Sequence, residues 1–425
     1  MYKLFKILLV LSISFLSVQG SIWSDKKNEA KKTVNTQMHE FISSITPLKG
    51  LAPAQWRVIW TGDASTEATI SWSTADKGEK HILHYDEINH VNKILKYKHH
   101  MECQKNGQFT LLKKEIKDVK PAFYHHASIK DLKPNTKYYF ILESDGHLSK
   151  PFYFITAPKD GTDFSVIHGG DSRSGHLTRC KMNRVISELV ESNKKIIAFI
   201  HGGDYIVSGK FWKQWRLWLS HHELTTCADG RVLPIIPARG NHDGGPIYKE
   251  VFNIEPTQPD WHTTTIGKEI AVVTLDTNVS GGGAQSQWLE AELKRLRPQT
   301  KWLLTQYHRP LYPAVKKAPA HTKIFCPLFD KYNVDLACEA DGHCIKRTIP
   351  IRAGKADPTG VTYIGEGGLG VGQRKPKSDH WYLQGGAVGY EHHVMVLDFS
   401  DVDLRIRTIL MDKKVFDDHR IKIRN

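Results

Sequence analysis

Five short polar motifs after residue 169 carry side chains that can bind a metal ion. They are Gly170-Asp171, Gly203-Asp204, Gly240-Asn241-His242-Asp243, Tyr307-His308-Arg309 and Asp341-Gly342-His343. Zinc, iron and manganese accept this mixture of carboxylate and amide oxygens with imidazole nitrogens. One Gly-Asp pair alone is usually an ordinary turn, and one buried histidine is usually a satisfied core residue. Because all five motifs follow apolar runs in one chain, we interpret them as a metal site.

The elements that must position these motifs alternate between strands and helices. Apolar runs such as FSVIHGGD, KIIAFIHGGD and KWLLTQYHRP end in the polar motifs, and each has the length of a strand. Stretches such as RVISELVES and SQWLEAELKRL lie between the runs and repeat apolar residues at helical spacing. We expect residues 159–425 to form an α/β layered domain with mixed sheets, with the motifs at the edge where strands end.

Residues 52–158 have the pattern of an all-β domain. Short alternating runs such as ATISWST, HILHYDE and TKYYFILESD are separated by turn residues. We expect Trp72 to be buried, and LKPNTKYYF is similar to the tyrosine corner of fibronectin type III folds. The segment is predicted to be a fibronectin type III-like β-sandwich with a structural role.

The N-terminal residues predict export. MYKLFK precedes the short apolar run ILLVLSISFLSV, and small residues follow near Gly20 and Ser21. This is typical of a signal peptide at residues 1–20. No later apolar run has the roughly 20 residues that cross a bilayer. We therefore expect a secreted or periplasmic protein, with residues 21–51 as a polar lead-in to which no fold is assigned.

The net charge of the chain indicates which classes of partner it is expected to bind. The 425 residues carry a formal net charge of +14, which favours small anionic partners. Lys and Arg are scattered along the chain, so nucleic-acid binding is not favoured.

The six cysteines form no CxxC pair, and the sequence leaves their pairing and the oligomeric state open.

The order of the motifs resembles the calcineurin-like metallophosphoesterase superfamily. The nearer relatives are the purple acid phosphatases, in which a fibronectin-like domain also precedes the catalytic domain. The resemblance covers nearly everything from about residue 52 onward. It implies that Asp204 bridges two metals, and that Asn241, His308 and His343 complete one of the two sites.

The same resemblance implies roles for two further residues. Asp171 would belong to the second metal, and His242 would contact the phosphoryl group and help the leaving oxygen depart. The implied function is an exported metal-dependent phosphoric-ester hydrolase, a phosphatase or phosphodiesterase that uses a metal-bound hydroxide as nucleophile. Its substrate would be a small anionic phosphoester, and its cofactor would be zinc, iron or manganese. One ion is predicted, and a second is left open.

The departures from the family pattern all fall on the second metal site. Val207 stands where purple acid phosphatases have a tyrosine, and Ile345 stands where they have a second histidine. Other branches use a DxH motif, in which Arg173 occupies the position of the histidine. Guanidinium has no lone pair to offer a metal. The second site is therefore predicted to be eroded.

Two explanations of the eroded site remain open at this point. In one, nearby loops supply replacement ligands from among Glu339, Asp341, Cys344 and His176. In the other, Arg173 acts in catalysis as a fixed positive charge that pairs with Asp171 and holds phosphate oxygens, helped by Lys346 or Arg347.

Further candidates for substrate binding are four basic residues near the motifs, namely Arg309, Lys346, Arg347 and Arg374. The missing ligands also motivate a different function. In this alternative, the chain is a catalytically weakened phosphatase-fold protein that acts as a phosphate- or polyanion-binding module.

Overall fold

The computed structural model describes Thr33 and residues 35–377 and 379–424. The predicted signal peptide lies outside these residues, as does most of the lead-in segment. Residues 46–425 form one compact unit, and the residues before them belong to a separate one, in which residues 35–43 are helical. Among the residues described, no helix combines the length and apolar character that a membrane span requires.

Two antiparallel sheets form a sandwich in the first part of the larger unit. The first sheet contains β1 (Ala54–Ile59), β2 (Ala68–Thr74), β5 (Lys105–Gln108) and β6 (Phe123–Ile129). The second contains β3 (His81–Asp86), β4 (His99–Glu102), β7 (Lys137–Ser144), β8 (His147–Leu148) and β9 (Phe152–Ile155). Trp72 is fully buried, as predicted. The Tyr138 hydroxyl accepts a hydrogen bond from the Lys133 backbone N–H at 2.8 Å, which is the contact expected of a tyrosine corner.

The first sheet of the sandwich continues into the α/β part of the chain. Strand β1 pairs in parallel with β12 (Ile235–Pro237) through Ile59 and Ile235. Beyond β12 the sheet continues with β11 (Ile196–His201), β10 (Ser165–Gly169), β22 (His393–Phe399), β23 (Asp403–Leu410) and β24 (Val415–Lys422). One ten-stranded sheet therefore runs through both predicted domains, a feature that the sequence did not indicate.

A second, seven-stranded sheet completes the α/β part. In spatial order its strands are β13 (His262–Ile266), β14 (Ile270–Thr274), β15 (Trp302–Gln306), β16 (Leu336–Cys338), β20 (Thr362–Gly365), β17 (Ile345–Arg347) and β21 (Ala387–Gly389). Strands β18 (Ile351–Arg352) and β19 (Lys355–Ala356) form a separate hairpin. Parallel and antiparallel pairs occur in both large sheets, so the prediction of mixed sheets is confirmed.

The two sheets pack against each other and helices cover their outer faces. Val166 and Ile200 of one sheet share a core with Val272 and Leu304 of the other. Helices α1 (His176–Ser192), α2 (Trp212–His222) and α3 (Ile247–Phe252) pack on the first sheet, whereas α4 (Ala284–Leu296) and α5 (Thr322–Lys331) pack on the second. The stripe of Trp212, Trp215 and Trp218 along α2 is buried, because it forms the face of the helix that meets the sheet. All six cysteines are buried and unpaired.

Candidate metal centre

The five motifs follow strands that lie in the two facing sheets. Asp171 follows β10, Asp204 follows β11, Asn241 follows β12, His308 follows β15 and His343 follows β16. The first two strand ends are tied together, because the Asp171 N–H donates to the Gly203 carbonyl at 3.0 Å. Asp171, Asp204 and His343 each have a φ of 59°, so the chain turns sharply at these residues.

Three of the predicted ligands form a buried cluster. Asp171, Asp204 and His308 each present one ligand atom, and these atoms lie within 4.8 Å of one another. Nε2 of His308 is 3.3 Å from Asp204 Oδ1 and 3.1 Å from Asn241 Oδ1. Nε2 of His343 is 3.1 Å from Asp171 Oδ1. The structure thus brings together all five residues predicted to bind metal.

Buried atoms that lack a hydrogen bond in this cluster fit a bound cation. Two of them do have an ionic neighbour, because Asp171 Oδ1 lies 3.1 Å from His343 Nε2 and Asp204 Oδ2 lies 3.3 Å from Arg173 Nε. Asp171 Oδ1, Asp204 Oδ2 and His343 Nδ1 are buried and have no hydrogen-bond partner among the residues that the structure describes. A buried carboxylate oxygen without a partner costs free energy, and a metal ion would satisfy it. Oxygen and imidazole donors in this arrangement suit zinc, iron or manganese.

Hydrogen bonds orient the ring of His308. Its Nδ1 is 2.9 Å from the Gly202 carbonyl oxygen, and a carbonyl only accepts, so Nδ1–H donates and Nε2 faces the cluster. Burial disfavours the imidazolium, but Asp204 and Asp341 together raise the pKa of His308 well above its usual value. Burial likewise opposes the charge of Asp204, yet contacts with His308 and His242 lower its pKa to about 2. The cluster therefore attracts positive charge.

His242 lies at the exposed side of the cluster. Its Nδ1 is 2.6 Å from the Val207 carbonyl oxygen, so Nδ1–H donates to that oxygen. Its Nε2 is 3.9 Å from Asp204 Oδ2, and the side chain is 32% exposed. The backbone N–H of His242 donates to Asp204 Oδ1 at 2.9 Å. Nε2 is thus the ring atom available to a ligand at the centre.

Arg173 contacts the cluster, but through a different carboxylate from the one expected. Its Nε is 3.3 Å from Asp204 Oδ2, and the side chain is 16% exposed. Asp171 is engaged by the His343 ring and by the Asp341 N–H, which donates to Asp171 Oδ2 at 2.8 Å. The predicted pairing of Arg173 with Asp171 is therefore replaced by one with Asp204.

Lys316 is a basic residue at the centre that the sequence did not reveal. Its Nζ donates to Asp341 Oδ1 at 2.5 Å, and the same oxygen is 3.5 Å from His308 Nε2. Burial disfavours the charge of Asp341, but His308 and Lys316 hold the pKa of its carboxyl group well below its usual value. Lys316 lies in the segment PAVKKAP, which contains no motif that could have indicated this placement.

Lys346 and Arg347 are not placed to contact a substrate. Lys346 is fully buried and pairs with Glu339 and Glu366. Arg347 forms two hydrogen bonds with Asp417, at 2.7 and 2.9 Å. Because these charges are neutralised inside the protein, the contacts contradict the prediction that both residues bind substrate or support Arg173.

Among the proposed replacement ligands, only Asp341 contacts the cluster. Glu339 accepts hydrogen bonds from the Tyr307 hydroxyl and the Leu311 N–H. Cys344 is buried next to Glu366, and burial raises the pKa of its thiol well above the usual range. His176 is exposed at the start of α1, with its ring 5.9 Å from that of His221.

The remaining basic candidates, Arg309 and Arg374, form backbone hydrogen bonds next to the centre. Arg309 directly follows His308 and is exposed, and its N–H donates to Thr277 Oγ1 at 2.9 Å. Arg374 is half-buried, and its N–H donates to the His343 carbonyl at 2.7 Å. Their substrate-binding roles stay predictions.

Tyr205, the tyrosine nearest in sequence to Val207, does not supply the missing second-site ligand. Val207 is 44% exposed, and Ile345 is fully buried. Tyr205 lies in the core, where its ring stacks on His201 at 4.0 Å and its hydroxyl group is 3.5 Å from the His201 carbonyl oxygen. It therefore does not substitute for the tyrosine of the family pattern.

The glycine-rich segment 363–374 packs behind the cluster. Gly367 has a φ of 86°, and a Cβ atom there would lie 1.9 Å from Asp171 Oδ2. Only glycine allows the backbone to approach the carboxylate this closely. The segment therefore packs directly against the candidate centre.

Comparisons with known proteins give the same two-part organisation. Residues 53–156 match the family described as purple acid phosphatase, N-terminal domain, and residues 167–344 match the calcineurin-like phosphoesterase family. Purple acid phosphatase 1 of Ipomoea batatas is 26% identical over 328 residues, which are 70% of this chain and 65% of that protein. A protein of Arabidopsis thaliana named "Probable inactive purple acid phosphatase 1" is 24% identical over 322 residues, which are 62% of this chain and 52% of that protein.

A solved structure shares the fold. The purple acid phosphatase from seeds of yellow lupin (Lupinus luteus) superposes with a TM-score of 0.72 at 17% sequence identity, covering 87% of this chain and 74% of the lupin chain. The order of the matched families, the shared fold and the buried cluster of Asp and His residues agree with one another. Residues 167–344 match the calcineurin-like phosphoesterase family, and the chain as a whole is similar to the purple acid phosphatases in sequence and fold.

Proposed function

We propose that the protein is an exported metal-dependent phosphoric-ester hydrolase that holds one ion firmly and has an eroded second metal site. The observation that carries this proposal is the convergence of Asp171, Asp204 and His308, with two buried carboxylate oxygens that lack hydrogen-bond partners. The leader-like N-terminal sequence supports export.

Four residues would hold the ion, namely Asp204, Asn241, His308 and His343. Asp171 lies next to them and adds negative charge. When bound, a zinc, iron or manganese ion would lower the pKa of water and neutralise charge on the phosphoryl group. The Nδ1–H bond of His308 to Gly202 fixes which ring nitrogen faces the ion.

His242 and Arg173 would act on the substrate. The Val207 carbonyl occupies Nδ1–H of His242, so Nε2 is the atom that can hold a proton for the leaving oxygen. Arg173 lies beside Asp204, where its guanidinium can donate to phosphate oxygens as a fixed cation. A small anionic phosphoester is the proposed substrate class, in keeping with the net charge of +14.

Metal analysis and a panel of phosphate monoesters and diesters test the proposal. We expect about one ion per chain, loss of turnover on chelation, and loss of the ion in His308→Ala with the circular dichroism of the folded chain unchanged. His147→Ala is the matched control, because His147 lies on an exposed strand of the sandwich. Full turnover by a metal-free His308→Ala protein would refute the mechanism.

A second candidate function is a phosphate-binding module without turnover. Val207, Ile345 and Arg173 in place of second-site ligands favour it, as does a relative whose name marks it as inactive. The same panel separates the two functions. A module would bind phosphate in calorimetry and hydrolyse no ester at any metal loading.

A further inference from the structure

A fully buried ionic cluster lies behind the candidate centre. Lys346 sits between Glu339 and Glu366, and none of the three side chains is exposed to solvent. Its Nζ pairs with Glu339, lies 2.9 Å from Glu366 Oε1, and donates to the Tyr312 carbonyl at 2.9 Å. An ammonium group has three donors, and each has an acceptor here.

The two carboxylates of this cluster bind the backbone of one loop, residues 311–316. Glu339 Oε1 accepts from the Leu311 N–H at 2.6 Å, and Glu366 Oε1 accepts from the Ala314 N–H at 2.8 Å. The contact of Lys346 with the Tyr312 carbonyl adds a third tie to the loop. The loop starts three residues after His308 and ends at Lys316, so it connects a predicted metal ligand to the ammonium beside Asp341.

Glu366 also supports the turn that carries His343. Its carbonyl accepts from the His343 N–H at 2.7 Å, and its N–H donates to the Cys344 carbonyl at 2.7 Å. A Cβ atom at Gly342 would lie 1.5 Å from Glu366 Oε2. The carboxylate therefore packs directly against the backbone next to His343.

Stability alone does not account for such a cluster. A buried ion network can often be replaced by apolar residues of similar volume without loss of stability, because desolvation offsets the attraction. The side-chain hydrogen bonds of the network instead go to the loop that carries Lys316, and the Glu366 carboxylate packs against the turn that carries His343.

We propose that Glu339 and Glu366 are positioning residues that hold His343 and Lys316 at the candidate centre, and that Lys346 neutralises their buried charge. The inference rests on the proposed function. It implies that the network sets the affinity for the metal through His343 and for phosphate through Lys316.

A matched pair of variants at one position tests this role. Glu366→Leu removes the acceptor of the Ala314 N–H and leaves Lys346 paired with Glu339, so no buried charge lacks a partner. Glu366→Gln has the same net charge but retains an acceptor oxygen. Zn²⁺ and inorganic phosphate binding are measured by calorimetry well below the unfolding temperature, with hydrogen exchange of the Leu311 and Ala314 amides.

We expect Glu366→Leu to bind Zn²⁺ about 10- to 100-fold more weakly, the range for residues that orient metal ligands, and to exchange the Ala314 amide faster. Glu366→Gln should bind within a few-fold of the unchanged protein. Equal Zn²⁺ and phosphate affinities in the Leu variant, even with a lower melting temperature, would overturn the inference and leave a purely structural role. Failure of the unchanged protein to bind Zn²⁺, iron or Mn²⁺ would instead refute the proposed function.

A triple variant covers the case in which Glu366→Leu does not fold. Lys346→Met with Glu339→Gln and Glu366→Gln removes every charge of the network and keeps acceptors for the Leu311 and Ala314 amides. Because the acceptors position the loop, Zn²⁺ and phosphate affinities should stay within a few-fold of the unchanged protein. A loss of ten-fold or more in this folded variant would overturn the inference.

Discussion

Arg173 brings a permanent positive charge to a cluster of carboxylates that otherwise attracts metal ions. Its Nε is 3.3 Å from Asp204 Oδ2, an oxygen without a hydrogen-bond partner among the described residues. Guanidinium cannot ligate a metal, but it matches the geometry of phosphate oxygens. In the proposed function, this one side chain would both discourage a second ion and offer an anion contact.

Replacing this guanidinium should weaken phosphate binding without releasing the metal. A hydrogen bond to a charged group contributes about 1.5–3 kcal/mol, so Arg173→Ala should bind inorganic phosphate roughly 10- to 100-fold more weakly. Calorimetry measures the affinity and elemental analysis the metal content. Arg295→Ala is the control, because Arg295 pairs with Glu292 on the surface of α4. Two ions per unchanged chain, with phosphate affinity unaffected by the substitution, would contradict this role.

The presence of Val207 at the same centre leads to a prediction about visible absorption. Charge transfer from a tyrosinate to ferric iron produces the visible absorption expected of purple acid phosphatases. An aliphatic side chain cannot supply that electron density, and Tyr205 is buried against His201. We therefore expect the iron-loaded protein to be colourless in visible absorption spectroscopy. An intense purple band would show that a tyrosine reaches the metal.

The residues of the centre were predictable only where a strand ends in a motif. Asp171, Asp204 and His308 follow apolar runs, and the sheet brings such ends together. Lys316 carries no local signal, because the loop that places it is held by Glu339 and Glu366, each more than 20 residues away in sequence. The burial of Lys346 could not be predicted either, because it depends on tertiary packing around Glu339 and Glu366.

The close packing of the glycine-rich segment behind the centre can be tested by adding one methyl group. Gly367→Ala places Cβ 1.9 Å from Asp171 Oδ2 at a φ of 86°. We expect a loss of at least about 1–2 kcal/mol in the free energy of unfolding. We also expect weaker metal binding, because Asp171, whose negative charge lies next to the four residues proposed to hold the ion, must move. Chemical denaturation and elemental analysis measure both quantities.

Gly372 in the same segment provides the matched control. No atom lies within 4 Å of a Cβ built there, and its backbone is not left-handed. Gly372→Ala should therefore change stability by less than about 0.5 kcal/mol and keep the metal. If the two alanine variants behave alike, the close packing of Gly367 against Asp171 has no consequence.

The secondary-structure elements themselves were largely predictable, but their order in the sheets was not. Alternating runs predicted the sandwich strands, and helical spacing predicted helices that the structure has at α1 and α4. The join between β1 and β12 rests on the single register pair Ile59 and Ile235, separated by more than 170 residues. Such a pairing depends on tertiary packing and leaves no periodic signal in either strand.

At the scale of the whole molecule, buried histidines should make stability fall in acid. Among the described residues, burial lowers the pKa of nine of them below the usual value, and the group comprises His81, His84, His125, His126, His168, His201, His221, His222 and His393. Their neutral forms stabilise the folded chain above pH 6.5, and this stability is lost as the pH falls below that value, because the unfolded chain then binds more protons. Burial raises the pKa of Glu223, Asp243 and Glu366 to about 7, which acts in the opposite sense but involves fewer groups.

We therefore expect the melting temperature to drop steeply between pH 6.5 and pH 5. Each buried histidine contributes at most about 1.4 kcal/mol per pH unit. His125→Asn should reduce the slope, because burial lowers the pKa of His125 to about 2, and the exposed His147→Asn should not. A melting temperature that is constant over this range would show that protonation does not govern stability.

The ten-stranded sheet has a consequence for how the chain unfolds. Because β1 is hydrogen-bonded to β12, a cut near residue 158 would expose unpaired strand edges on both fragments, and such edges promote aggregation. Residues 46–425 should instead lose their structure in one cooperative calorimetric transition. The sandwich would then be a folding partner of the α/β part, and neither part could be exchanged between relatives as an independent module.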